Sequence, residues 1–205
     1  NVTGVQTCAL PISEGMGLDH RIGPKFLCAG IGYGGSCFPK DVKALLATGK
    51  EYGINLPIVE ATDAVNTHQR ERFITTILAT LPAKQKIAVW GLSFKPETDD
   101  MREAPSIDVL HALVQAGHHC TVFDPVAMDR ARSLLPEGIA YATSPMEALH
   151  NASALVILTE WNAFKDTSLE TIASSLKGPY LFDGRNIYRK EDALKENLQY
   201  VGVGV

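Results

Sequence analysis

Two rhythms divide the chain. Up to about residue 81 apolar positions recur at steps of three and four. Beyond residue 84 short apolar runs alternate with amphipathic stretches. Residues 14–36, "EGMGLDHRIGPKFLCAGIGYGGS", mix glycine with short apolar pieces and read as loop and turns. After Pro39, "KDVKALLATGKEYG" puts Val42, Leu45 and Leu46 on one stripe and predicts a helix stopping near Gly49 or Gly53. Next, Ile58, Thr62, Val65, Gln69, Phe73, Ile77 and Leu81 fall at helical spacing, with Thr62 and Gln69 its polar members. They predict a long amphipathic helix over 58–81, stopped by Pro82.

The second half reads as strand, helix, strand. "KIAVWGL", "HCTVFDP", "IAYA", "ALVILTE" and "YLFDGRN" are short apolar runs and predict five strands. Between them "SIDVLHALVQAG", "AMDRARSLL", "SPMEALHNA" and "SLETIASSL" predict helices, the first stopped by Gly117. Ser144 is the expected N-cap of the third, with Pro145 at its first position. Strands alternating with helices predict a doubly wound α/β domain, a parallel sheet covered on both faces. Its ligands are expected beyond the carboxyl ends of the strands.

Composition narrows the class. The chain has 205 residues, 45% hydrophobic and 20% charged, with net charge −4 and interspersed signs. That balance argues against nucleic acid and anionic membranes as partners. No apolar run is long enough for a membrane span. Four scattered cysteines with no CxxC pair and no Cys/His cluster point to reduced thiols, a cytosolic protein and no metal site.

Three stretches carry candidate chemistry. In "GYGGSCFPKD", Cys37 follows a glycine turn at the mouth of a helix. There the free N–H groups and the helix dipole favour a thiolate. Lys40 adds positive charge, and Asp41 is placed to handle a proton or a water. An inert thiol packed in a turn fits the same pattern. In "GLSFKPETDDMREAPS", directly after the first strand, G-x-G-x-x-G is missing, so a dinucleotide pyrophosphate grip is not indicated. Lys95 and Arg102 are offered there instead, for a polar substrate group and a phosphate. In "FDGRN", Arg185 lies at a strand's carboxyl end, for a ligand or a structural ion pair. Asp124 of "FDP" ends another strand in the same way, where a ribose contact is one reading. Asp99, Asp100 and Glu103 read as a helix start. His118 and His119, just before a strand, are expected to be exposed.

Together these stretches resemble the UDP-glucose/GDP-mannose dehydrogenase family, in order and over residues 14 to about 202. "GLDHRIGPKFLCAGIGYGGSCFPKDVKAL" is similar to its active-site segment, "WGLSFKPETDDMREAPS" to the opening of its UDP-binding domain and "LFDGRN" to that domain's close. The resemblance implies a long connector helix followed by a Rossmann-like UDP-binding domain. It also implies oxidation of a nucleotide sugar, UDP-glucose to UDP-glucuronate, with two NAD⁺ through a cysteine thiohemiacetal and thioester. Cys37 would be the nucleophile and Asp41 would activate or orient water. Lys40 and Arg102 would lie near NAD. Phe26, Leu27, Cys28, Ala29, Gly30 and Gly34 would lie along the substrate, with Phe94, Lys95 and Arg185 from the later domain. Arg21 would reach a neighbouring subunit's site, and helix 58–81 would join two chains in a homodimer.

The resemblance also has gaps. The family's opening NAD-binding domain, with G-x-G-x-x-G, has no counterpart here. Residues 1–13, "NVTGVQTCALPIS", read as an atypical leader. The expected organisation is that leader, an active-site loop and helical region over 14–82, and the UDP-binding domain over 83–205. The chain is expected to be the later part of a dehydrogenase, inactive by itself. A non-catalytic UDP-sugar-binding and dimerisation unit is the alternative. A sister enzyme for GDP-mannose or a UDP-N-acetylhexosamine is another.

Overall fold

The computed structural model describes residues 12–205, without the side chains of Lys25 and Phe26. Most of the expected leader, residues 1–11, therefore lies outside the described residues. Residues 12–17 are helical (α1), and Pro24–Leu27 form a 3₁₀ turn with proline at its start. The loop expected over 14–36 is thus partly helical, because helix formers such as Glu14 and Met16 carry α1 through its two glycines.

Helix α2 runs Phe38–Glu51 and α3 runs Pro57–Thr80. Gly49 does not stop α2. It is buried inside it, where a side chain would strike Leu56 and the Ile54 carbonyl. In α3 the apolar stripe divides. Phe73 and Ile77 are buried, with Leu81 just beyond, whereas Ile58 and Val65 are 82% and 65% exposed. The predicted stripe is therefore a core face only in its second half. In the first half the residue turned inward is Asn66.

The elements beyond α3 are β1 (Lys86–Trp90), α4 (Pro105–Gln115), β2 (His119–Phe123), α5 (Met128–Leu134), β3 (Ala140–Tyr141) and α6 (Pro145–Leu149). They continue with β4 (Ala154–Ile157), α7 (Asn162–Lys165), α8 (Leu169–Ser175), β5 (Tyr180–Asp183), α9 (Lys190–Lys195) and β6 (Gln199–Gly202). The strands form one six-stranded sheet in the order β3-β2-β1-β4-β5-β6, every neighbouring pair parallel. This is the doubly wound α/β fold expected, with one more strand. β6 pairs only with β5, and its short glycine-flanked sequence carries little strand signal.

Alternation within the strands builds two cores. Ile87, Val89, Ala154, Val156 and Phe182 face one side, against α4, α5 and the end of α3. Ala88, Trp90, Leu155, Ile157 and Leu181 face the other, against α6, α8 and α9. Such period-two burial on both faces is the mark of a central parallel strand. Ser144 caps α6 by accepting the Glu147 N–H at 3.1 Å, as expected.

His118 departs from expectation. It is 5% exposed, and its Nδ1 accepts the Gln85 N–H at 3.1 Å, while His119 stays outside. A turn residue beside a strand can be drawn under the sheet edge when a backbone donor needs an acceptor there. Burial lowers its pKa. The Cys120 thiol is buried in the core, and burial pushes its pKa up to about 12. It is chemically silent at neutral pH.

Candidate functional site

Cys37 is the N-cap of α2, exposed at the end of the glycine turn, with the Ser36 hydroxyl 3.7 Å from its sulfur. The helix starts there because Pro39 sits in its first turn and lacks an N–H that would need a partner. The Asp41 N–H returns to the Cys37 carbonyl at 2.8 Å. Asp41 pairs with Lys40 at 3.2 Å, both well exposed. The helix N-terminus, the thiol, a cation and a carboxylate thus share one turn.

The segment before Cys37 is clamped from two sides. On α3, Asn66 accepts the Tyr33 N–H at 2.7 Å and donates to the Tyr33 carbonyl at 3.2 Å. Arg70 donates to the same carbonyl at 2.6 Å and to Glu103 O at 3.4 Å, and its other nitrogen pairs with Asp108 at 2.9 Å. Gln69 reaches the Gly30 carbonyl at 3.4 Å. From the β1–α4 loop, the Arg102 carbonyl takes the Gly35 N–H at 2.8 Å, and Lys43 of α2 pairs with Glu103 at 2.9 Å. Both glycines are required by contact. A Cβ on Gly34 would lie 2.4 Å from Glu103 O, and one on Gly35 (φ 88°) would lie 2.7 Å from the Phe94 ring. Glu103 itself holds φ 52°, an uncommon conformation for a residue with a side chain.

Phe94 and Arg102 of this loop meet the glycine turn that precedes Cys37. Phe94 is half-buried against the glycine turn, with the Lys95 ammonium 5.3 Å from its ring centre. Arg102 is held by both Asp100 oxygens at 2.9 and 2.8 Å. The Arg102 guanidinium keeps the Asp100 carboxyl below its ordinary pKa.

At the next strand ends, Arg185 pairs with Glu160 through Nη2–Oε1 and Nε–Oε2, both 2.7 Å. Its backbone N–H goes to Asp183 at 3.1 Å. Asp183 is buried and also accepts the Tyr188 N–H at 3.0 Å and the Tyr200 hydroxyl at 3.1 Å. Burial raises its pKa. Arg185 lies directly on Gly30, so these two predicted residues meet across the junction between the loop region and the sheet. Ile31 anchors the junction, 1% exposed beside Gly184 and Phe73.

The turn after β1 is already filled. The Asp124 carboxylate accepts the N–H groups of Leu92 (2.7 Å) and Ser93 (3.2 Å), and those of Val126 (2.9 Å) and Ala127 (2.8 Å). Trp161 adds its indole N–H at 3.2 Å. At 1% exposure Asp124 cannot reach a ribose, so that reading is corrected. A dinucleotide pyrophosphate would need the same N–H groups. The turn after β1 therefore does not fit a nicotinamide dinucleotide.

Arg21 stays apart from this assembly, paired with Asp19 at 2.7 Å and largely exposed. Leu27, Cys28 and Ala29 lead from the 3₁₀ turn to Gly30, Cys28 exposed with its thiol 3.9 Å from the Pro24 carbonyl. The Phe26 side chain lies outside the described part. Among the described residues no group of His, Cys, Asp and Glu is arranged to hold a metal, and no helix is long and apolar enough to cross a membrane.

Residues 88–190 match the UDP binding domain of the UDP-glucose/GDP-mannose dehydrogenase family, and residues 8–68 match its central domain. The chain belongs to that family. A UDP-glucose 6-dehydrogenase of Rhizobium meliloti is 46% identical over 94% of this chain and 45% of its own length. One from Pseudomonas aeruginosa is 40% identical over 94% of this chain and 44% of its own. The chain therefore spans about half the length of the curated relatives it matches. A solved UDP-glucose dehydrogenase of Pyrobaculum islandicum superposes with TM-score 0.77 at 31% identity, over 95% of this chain and 43% of that one. A GDP-mannose dehydrogenase of Pseudomonas aeruginosa, at 19% identity, shares the fold with TM-score 0.71 over 94% of this chain and 44% of that one.

In this family member several residues that shape the site escaped the sequence reading. Asn66 and Arg70 stand one position beyond Val65 and Gln69 of the recognised stripe. A buried-facing polar pair at i, i+4 on a helix was the available signal. Glu160 ends the run "ALVILTE" as Arg185 follows "YLFD", so neighbouring strand ends were the clue.

Proposed function

We propose that this chain supplies the nucleophile and the sugar-nucleotide domain of an NAD-dependent UDP-glucose 6-dehydrogenase, which oxidises UDP-glucose to UDP-glucuronate. One observation carries the reading: the Cys37 loop is bound to the carboxyl edge of the UDP-binding sheet through Gly35 and Arg102. A sugar nucleotide lying along Leu27–Gly30 and against Phe94, Lys95 and Arg185 would then bring its C6 toward the thiol.

Loss of a hydride from C6 and of its hydroxyl proton first turns the alcohol into an aldehyde. The Cys37 thiolate adds to that carbonyl carbon, the oxygen takes up a proton, and a thiohemiacetal forms. Loss of a second hydride from that carbon, with the hydroxyl proton, leaves a thioester. Water cleaves the C–S bond, the thiol returns, and the carboxylate departs. Asp41 takes or orients the proton of that water. Hydride acceptance is the chemistry a nicotinamide dinucleotide supplies. Lys40 and Arg102 are the residues here proposed to approach it, from the side of Cys37. The exposed first half of α3 supports the proposed homodimer, to whose neighbouring site Arg21 would reach. Free Cys28, Cys37 and Cys120 suit a reducing cytosol.

A second reading is a UDP-sugar-binding and dimerisation unit without turnover. The filled turn after β1 favours it, since the described sheet offers a dinucleotide no phosphate grip there. Calorimetric titration of this chain with UDP-glucose, GDP-mannose and NAD⁺ tests the assignment. UDP-glucose should bind and NAD⁺ alone should not. Preference for GDP-mannose would move the assignment to a sister enzyme. Silence toward both sugars would overturn a sugar-nucleotide site built by these residues.

A further inference from the structure

Arg185 is held on one edge only. Glu160 Oε1 accepts the Nη2 N–H at 2.7 Å, and Oε2 lies 2.7 Å from Nε in the same ion pair without a hydrogen bond between them; the pair is largely buried, at 17% and 21% side-chain exposure. A guanidinium has five N–H donors in a rigid plane, so fixing one edge fixes the direction of the other. The outer nitrogen, Nη1, is the atom closest to where a Cβ on Gly30 would stand, 2.4 Å away. Gly30 is held in turn by Gln69 on its carbonyl, and the Arg185 backbone by Asp183. Both sides of the Nη1–Gly30 contact are therefore anchored independently.

We infer that Glu160 is a positioning residue: it aims the free Nη1 end of Arg185 along the Gly30 segment, where it meets the diphosphate of the bound nucleotide. This rests on the sugar-nucleotide reading above. Glu160 also neutralises the guanidinium before the ligand arrives, which makes its partial burial tolerable. The remaining donors are then presented without rearrangement, as a planar fork suited to phosphate oxygens. Glycine at 30 is explained by the same contact, since any side chain would push Nη1 aside. A purely structural ion pair would stabilise the fold with no preference for phosphate-bearing ligands.

The test uses this chain, with UDP followed by calorimetry and uridine, which lacks the phosphates, followed by NMR at millimolar concentration. Glu160→Gln keeps the shape and loses the charge that pairs with the guanidinium. It should weaken UDP roughly tenfold and leave uridine unchanged. In an Arg185→Ala background Glu160→Gln should have no further effect on UDP. Gly30→Ala, which leaves the ion pair chemically intact, should produce the same UDP-selective loss. Unchanged UDP affinity in Glu160→Gln would overturn the inference, as would equal losses for UDP and uridine or an effect that survives removal of Arg185. Should the unmodified chain bind no UDP, the sugar-nucleotide reading itself fails and this inference falls with it.

Discussion

Gly35 gives its amide hydrogen to the carbonyl of Arg102 at 2.8 Å. The bond joins the turn before the exposed thiol to the loop after the first strand of the sheet. The same stretch of that loop presents the Glu103 carbonyl to Gly34 and the Phe94 ring to Gly35. Beside the side chains of α3, the cysteine turn is therefore shaped by backbone and ring atoms of a segment far along the chain.

Gly35→Ala should strain this junction. Gly35 has φ 88° and no room beside Phe94, so a loss on the order of 2–4 kcal/mol in unfolding free energy is expected. Urea denaturation measures it. An unshifted midpoint would mean that the turn yields easily.

Arg70→Met should loosen the other side of the clamp. The guanidinium serves Tyr33 O, Glu103 O and Asp108 together, and its removal leaves two carbonyls without that donor. A loss of roughly 1–3 kcal/mol is expected. The sharper readout is hydrogen exchange. The Gly35 amide should exchange faster in the variant, while amides of β1 and β4 should not.

Asp124→Ala should be among the most damaging single changes. It strands four backbone N–H groups and the Trp161 indole in a site that is 1% exposed. The expected loss is on the order of 3–5 kcal/mol. A well-folded variant with near-normal thermal stability would show that water replaces the carboxylate there.

His118 should make stability fall on mild acidification. Burial lowers its folded-state pKa below the ordinary histidine value, and a donor already occupies Nδ1. As pH drops below about 6.5, the unfolded chain takes up the proton first, so unfolding gains. Stability therefore declines from about pH 6.5 down through the lowered value. His118→Gln should remove that part of the slope in a pH series of thermal melts. An identical slope in both proteins would assign it to other groups.

Cys37→Ser, made in a chain extended to the length of the relatives, should lower acid formation by about 10³-fold or more. Turnover retained within a few-fold would remove Cys37 from the nucleophile's role.

The alternation of apolar runs made the sheet legible, because a parallel strand buried on both faces leaves a continuous run. α3 was legible as a helix, but its stripe was not legible as two surfaces. Ile58 and Phe73 look alike in a periodic pattern, although only Phe73 reaches the core. The turn that carries Cys37 was legible through its glycines and the helix start. Arg70 and Glu160 were not, since a charged residue that meets backbone carbonyls or an arginine is spelled like one that meets water. Asp124 was misread for a related reason: a carboxylate at a strand end serves a ligand or its own turn with the same letters around it. His118 sits in a turn that looks solvent-facing until the Gln85 N–H needs a partner.

The clamp on the cysteine turn also imposes a chronology. Synthesis runs from the N-terminal side, so the Gly30–Cys37 turn leaves the ribosome well before the carbonyls of Arg102 and Glu103 exist. Until then the Gly35 N–H has no Arg102 carbonyl to reach, and contacts this distant along the chain form late. The thiol is made early and aimed late. A nascent chain thus carries a cysteine without its final geometry, and the organised turn appears only once the β1–α4 loop has emerged and closed over it.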